Sequence, residues 1–142
     1  MISPVKLPCY CASLRQAARA ITQFYDKALQ PAGIKVTQFT VLEALALHPG
    51  LRTGELATSL VMDQSTVTRT LVLIEKAGLI TTEATRDKRE KRWIHTTAGR
   101  LKHREAHGLW KGAQERVRHV FGDQPIKQLH QLSFSLADRL AA

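Results

Sequence analysis

The stretch Thr53–Gly99 constrains the fold more than any other part of the chain. It reads TGELATSLVMDQSTVTRTLVLIEKAGLI, then TTEATRDKREKRWIHTTAG. One short helical pattern stops at Met62-Asp63 and another begins at once, so two helices must meet across a tight turn, Met62-Asp63-Gln64-Ser65. A hydrophilic, basic segment follows and returns through the apolar-aromatic pair Trp93-Ile94. That is the pattern of a β-hairpin whose returning strand is anchored on a core.

The first helix of this pair carries Thr53 as its expected N-cap, Glu55 nearby, and Leu56, Ala57 and Leu60 facing inward. The second places Val67, Leu71, Ile74 and Leu79 inward and opens with Gln64, Ser65, Thr66, Thr68, Arg69 and Thr70. Small hydroxyls and an arginine make a poor core but suit a groove, where they reach phosphates and base edges. Gly78 is placed to end this helix, Leu79-Ile80-Thr81-Thr82 to start a strand, and Arg92–His95 to return it. Thr96 or Thr97 then caps a further helix, with Gly99 in its first turn. Two helices, a tight turn and a charged hairpin make a winged helix-turn-helix, an architecture that reads DNA.

Charge supports this. The chain has 142 residues and a formal net charge of +9, an excess that attracts polyanions. It is clustered: Arg86, Lys88, Arg89, Lys91, Arg92, Arg100, Lys102 and Arg104 are opposed in that interval only by Asp87 and Glu90.

The flanks read as helices. Leu14, Ala18, Ile21, Tyr25 and Ala28 form one stripe that Cys11 extends and Cys9 does not, and Pro31 and Gly33 end it. Thr37 is the expected cap of an all-round apolar helix holding Phe39, Val41, Leu42, Leu45 and Leu47, which His48-Pro49-Gly50 ends. A long helix from Arg100 to Phe121 carries Leu101, Leu109, Ala113, Val117 and Val120, weakened by Gly108 and Gly112. After Gly122-Asp123-Gln124-Pro125, with the proline expected at the first helical position, the last helix sets Ile126, Leu129, Leu132, Ser133, Leu136 and Leu140 on one face. So small a domain offers that face too little of its own surface, which makes a second copy its natural partner. The fold class is mainly α (α+β): one domain over 1–142, with 35–100 the winged helix-turn-helix and 1–34 and 101–142 the dimerisation helices.

No apolar run is long enough to span a bilayer, and MISPVKLPCYCASLRQ lacks a secretory apolar segment, so a cytoplasmic protein without membrane partners is expected. Cys9 and Cys11 are too close for an easy mutual disulfide within a helix. The six histidines are scattered; His103 and His107 have a metal-compatible spacing, but their basic flanks oppose a cation. With no phosphate loop, nucleophile elbow or carboxylate pair, neither an enzyme nor a metal or other cofactor is expected.

In element order and residues together, nearly the whole chain resembles the MarR family of bacterial winged-helix regulators. The most specific match is the wing, where the family pattern Asp-x-Arg, a short strand and Thr-x-x-Gly stands as Asp87-Lys88-Arg89 through Thr96-Thr97-Ala98-Gly99. His95 departs from the family, which usually has Leu there. The resemblance implies a homodimer on double-stranded DNA, at a palindromic operator, with recognition helices about one duplex turn apart, roughly 34 Å. It implies DNA contacts from Gln64, Ser65, Thr66, Thr68 and Arg69 in the major groove and from Arg86, Asp87, Lys88, Arg89 and Lys91 at the wing. Arg89 would enter the minor groove, braced by a charge-assisted bond from Asp87.

Family members commonly respond to small aromatic acids, phenols or antibiotics. The corresponding crevice here would use Arg15, Arg19, Tyr25 and Phe39. Cys11 matches the sensing cysteine of the peroxide-responsive OhrR branch and Tyr25 one of its tyrosine partners, while the other two positions fall on Arg15 and Val36. The leading expectation is a ligand-released repressor. The alternatives are a thiol-based peroxide sensor using Cys11 and a protein that binds nucleic acid without sequence preference.

Overall fold

A computed structural model describes residues 2–85, 87 and 89–141. Helix α1 (Tyr10–Leu29) leads through a short 3-10 turn (Gln30–Ala32) to α2 (Val36–Leu47). Strand β1 (Leu51–Arg52), α3 (Thr53–Ser59), α4 (Gln64–Lys76), β2 (Ile80–Thr82) and β3 (Arg92–His95) follow. Helices α5 (Thr97–Phe121) and α6 (Asp123–Leu140) complete the order. The three strands form an antiparallel sheet in the order β1-β3-β2, with Leu51 opposite Trp93 and Ile80 opposite His95.

Helix α2 is the axle. Val41, Leu42 and Leu45 are sealed against Leu29, Leu56, Val67, Leu71, Ile74 and Ile80. Its apolar character on most sides suits a helix with neighbours on most sides. It starts earlier than expected: the N-cap is Lys35, not Thr37. Asp26 accepts the Val36 N–H at 2.7 Å and Gln38 Oε1 accepts the Lys35 N–H at 2.9 Å, so the orphan amides of the first turn are satisfied before Thr37.

The same substitution of partners moves the start of α3. Its N-cap is Arg52, whose N–H donates to Glu55 Oε1 at 2.9 Å. The Thr53 hydroxyl is used elsewhere, accepting the Trp93 indole N–H at 3.0 Å. With Trp93 only 4% exposed, this bond and the β1–β3 pairing pin the hairpin to the helical core.

Helix α3 ends in paired backbone bonds, Met62 N–H to Ala57 O at 2.9 Å and Val61 N–H to Thr58 O at 3.2 Å. This is a helix stop whose left-handed position normally carries glycine. Val61 occupies it at φ 53, which costs a β-branched residue roughly 1–2 kcal/mol. Helix α4 begins at Gln64 after its N-cap Asp63, so the turn spans Leu60–Asp63, slightly earlier than read from sequence.

Two features tie the wing to α5. Thr96 caps α5 by accepting the Gly99 N–H at 3.0 Å, and donates to Gly78 O at 2.6 Å. A Cβ on Gly99 would lie 1.8 Å from the Leu79 carbonyl oxygen, so the Thr-x-x-Gly spacing is what lets α5 press onto the β2 entry. Helix α5 runs unbroken through Gly108 and Gly112. Its inward face is Ala106, Ala113 and Val117, with Leu109 and Trp110 half-buried, whereas Leu101 and Val120 point outward. In α6, Pro125 is the third helical residue rather than the first, still within the turn that needs no amide donor.

Among the described residues α6 buries none. Leu129, Leu132, Phe134, Leu136 and Leu140 are all exposed, as are Leu14, Ile21 and Phe24 of α1. No described helix is long and apolar enough to cross a membrane.

Candidate nucleic-acid interface

Helix α4 divides its surface sharply. Val67, Leu71 and Ile74 are packed into the core, while Gln64, Ser65, Thr68 and Arg69 are exposed and Thr66 is half-buried. Thr70, grouped by sequence with the outward residues, is instead 7% exposed. It lies three residues after Val67 and one before Leu71, on the core side of a 3.6-residue turn, and its hydroxyl is satisfied by Thr66 O at 2.9 Å. The Thr68 hydroxyl similarly donates to Gln64 O at 2.8 Å, and Arg69 Nη2 to Thr66 Oγ1 at 3.3 Å. The exposed face therefore presents an amide, hydroxyls and one guanidinium on a rigid first two turns.

At the wing, Asp87, Arg89 and Lys91 are exposed; Arg86 and Lys88 lie outside the described residues. Asp87 Oδ1 accepts the backbone N–H of Arg89 at 2.9 Å, not its guanidinium as expected. The reason is local: an aspartate side chain closes most readily on the amide two residues ahead. The Thr85 hydroxyl donates to Asp87 O at 2.7 Å and the Glu90 N–H reaches the same oxygen at 3.0 Å, closing the tip. Asp87 thus shapes the loop, and the Arg89 guanidinium projects from it.

Neighbouring arginines are already occupied. Glu90 takes Arg92 at 2.7 Å and Arg52 at 3.3 Å, and Arg52 also meets Glu55 at 3.1 Å. The backbone amide of Arg52, then its guanidinium, hold the Glu55 carboxyl below its ordinary range. Sequence reading missed this network. Its available signal was the i,i+2 spacing of Glu90 and Arg92, which puts both on one side of a strand.

The fold that carries this site is shared with known proteins. The MarR family profile matches residues 32–90. The Mycobacterium tuberculosis transcriptional regulator MosR is 33% identical, with a TM-score of 0.78 over 93% of this chain and 96% of that one. The chain belongs to the MarR family. MosR has also been solved in complex with DNA; that structure is 34% identical, with a TM-score of 0.78 over 92% of this chain and 96% of that one. A helix-turn-helix-type transcriptional regulator of Bacillus subtilis, YwoH, is 28% identical over 111 residues, 78% of this chain and 81% of its own.

This MarR-family chain also has a crevice of about 890 Å³ between α1, α2 and α5. Tyr25 and Phe39 line it as expected, joined by Trp110, Thr40, Glu43 and Phe134. Arg15 and Arg19 do not: the α1 lining stops at Ile21 and Thr22, and both arginines sit exposed nearer the N-terminus. Burial raises the Tyr25 phenol, opposed by the charge of Arg118, and its hydroxyl bonds Gln114.

Cys11 is exposed in the first turn of α1 and absent from this crevice. Tyr25 lies 14 residues farther along the same helix, roughly 21 Å at the helical rise, so the two do not meet within one protomer. Cys9 is the N-cap, in extended backbone, so the objection to pairing inside a helix does not apply to it; both thiols are free.

His95, the departure from the family pattern, is accommodated by donating from Nε2 to Leu42 O at 2.8 Å. Burial pushes its pKa below the ordinary 6.5, partly offset by that bond. The unfolded chain thus binds the proton more readily. Its contribution to stability is full above about 6.5 and is lost as pH falls from there through the lowered folded value. Urea unfolding across that window is expected to show midpoints that drop on acidification, by at most about 1.4 kcal/mol per pH unit for one proton. His95→Gln, which keeps a donor for Leu42, should flatten the profile; an unchanged slope refutes the assignment.

Proposed function

We propose that this protein is a homodimeric, sequence-specific DNA-binding transcriptional regulator, a repressor acting in the cytoplasm rather than an enzyme. It binds a palindromic operator and is released by a small aromatic or phenolic ligand in the α1–α2–α5 crevice. The observation that carries the reading is α4: its first two turns expose Gln64, Ser65, Thr68 and Arg69 while Val67, Thr70, Leu71 and Ile74 fix it in the core. A helix so held can enter a major groove without rearranging. The DNA complex of MosR supports the same use of the fold.

The exposed apolar faces of α1 and α6 support a two-fold partner, which would set the spacing of the two recognition helices. A crevice of about 890 Å³ is within the range of small-ligand sites. Selection from random duplexes, followed by competition against unselected DNA, is the direct test. Enrichment of an inverted repeat is expected, and equal binding of all duplexes refutes sequence specificity in favour of unselective nucleic-acid binding. Thermal-shift screening with aromatic acids tests release, since a ligand at a hundred times its Kd adds about 2.7 kcal/mol.

A second reading has one observation in its favour: Cys11 is exposed rather than packed within its protomer. An organic hydroperoxide would oxidise it to the sulfenic acid, itself being reduced to the alcohol. Mass spectrometry after hydroperoxide treatment decides this. An inert Cys11, or release from DNA that survives Cys11→Ser, removes the redox reading.

A further inference from the structure

The basic residues around the wing fall into two sets that differ in what holds them. Among the described residues, Arg89 and Lys91 are exposed and lie within ion-pair distance of no carboxylate. Arg92 and Arg52, at the base of the hairpin, are both bound to Glu90.

Strand register explains why they need it. Arg52 of β1 lies directly opposite Arg92 of β3, and like charges so placed repel. Glu90 meets both with a single oxygen: Oε1 lies 2.7 Å from Arg92 Nη2 and 3.3 Å from Arg52 Nη1. The Thr85 hydroxyl, 3.3 Å from Glu90 O, ties the backbone there to the start of the hairpin. Arg52 has a second partner in Glu55, at 3.1 Å, whereas Glu90 is the one carboxylate on Arg92 among the described residues. The carboxylate also stands where DNA is expected. Arg52, Asp87, Arg89, Glu90 and Lys91 line one recess of about 530 Å³ between the wing tip and the start of α3. The Arg52 and Arg92 side chains are 51% and 36% exposed, so an incoming phosphate can compete for the same N–H donors. Ion pairs this open to water add little to stability.

We propose that Glu90 is a positioning residue of the reader that withholds Arg52 and Arg92 from the DNA backbone, and so sets how tightly the protein holds duplex of any sequence. The role rests on the DNA-binding reading proposed above. Sequence-independent affinity grows with every phosphate neutralised, the slope of log affinity against log salt changing by about −0.9 for each. Arginines freed from Glu90 would add to that grip on all duplexes, while the base-edge contacts of α4 would stay as they are. Glu90 thus keeps the electrostatic grip low and leaves the choice among duplexes to α4. A carboxylate that merely braced the hairpin would act with the opposite sign: its loss would loosen the wing and weaken binding.

The test is fluorescence anisotropy of Glu90→Ala on a pool of random-sequence duplexes, with salt varied from about 50 to 200 mM and Tm recorded alongside. Affinity is expected to rise roughly tenfold per protomer at the low end and a few-fold at the high end, the salt slope steepening by about one per protomer. Tm should hardly move. Because Arg52 keeps Glu55, the gain runs through Arg92, and Arg92→Gln in the same background should return the slope to the wild-type value. Adding Glu55→Gln to Glu90→Ala leaves an acceptor for the Arg52 amide but frees its guanidinium, which should steepen the slope by about one more. Binding by Glu90→Ala no tighter than by the wild type overturns the role, and so does a gain undiminished by Arg92→Gln, which would reduce Glu90 to its own charge. A wild-type protein that binds no duplex removes the DNA-binding reading and this role together, whereas wild-type binding without the Glu90→Ala gain removes the role alone.

Discussion

Aspartate at both Leu132 and Leu136 is expected to convert the protein to a monomer in sedimentation velocity and to weaken operator binding by about a thousandfold. Both side chains are exposed on α6, at 67% and 45%, and α6 buries no described residue in its own chain. The substitutions therefore remove nothing from the core around α2, and helical circular dichroism and Tm should change little. In a dimer the same positions would be desolvated. A buried, unpaired carboxylate costs several kcal/mol, which two copies of each double. The effect on DNA follows from geometry rather than contact. A dimer binds its second half-site as an intramolecular event at millimolar effective concentration, an advantage of about 10²–10⁴ that a monomer forfeits. A variant that remains dimeric places the partner surface elsewhere. A monomer that binds the operator undiminished shows that one reader suffices.

The parts of this molecule legible in its sequence are those where periodicity and local chemistry agree. Val67, Leu71 and Ile74 on the inward side of α4, the Thr96 cap, the β2–β3 hairpin and the buried Trp93 follow from local spacing, whereas Leu79, read as the last inward residue of that helix, lies beyond its end. What escaped depends on partners distant in the chain. Lys35 starts α2 because Asp26, nine residues earlier, accepts the next amide, that of Val36. Thr53 loses its capping role to Trp93, forty residues on. The two residues of β1 are visible as a strand only through their register with β3.

The candidate site divides the same way. Gln64, Ser65, Thr68 and Arg69 face outward because a helical wheel anchored on Val67 and Leu71 requires it, whereas Thr70 was misplaced by its polarity against that same wheel. Asp87 was assigned to the Arg89 guanidinium from charge alone, yet it closes on the backbone. Opposite charges two residues apart do not imply an ion pair when an amide is nearer.

That correction sharpens what Arg89 should do. With Asp87 occupied by the backbone and Arg52 and Arg92 bound to Glu90, Arg89 is the wing guanidinium with no carboxylate to release among the described residues. Contact with DNA through Arg89 would therefore require no ion pair to break first. Arg89→Ala is expected to cost about 2–3 kcal/mol of operator affinity, roughly 30- to 150-fold. The loss should have two parts. The slope of log affinity against log salt should fall by about one, for the phosphate field the charge no longer meets. Discrimination at the wing-contacted base pairs should also relax, since a guanidinium in a narrow minor groove reads width as well as charge. Arg89→Lys separates the two, restoring the salt slope while leaving the discrimination impaired. Asp87→Ala should act less strongly and through the loop, loosening the tip that aims Arg89 without removing the charge. Folding should be unaffected in all three, because Asp87 and Arg89 are exposed and contribute nothing to the packing around Trp93. Gel-shift titration on a selected duplex, repeated at several salt concentrations, measures both parts at once. Affinity and slope unchanged in Arg89→Ala would mean that the wing does not touch DNA, leaving α4 to carry recognition alone.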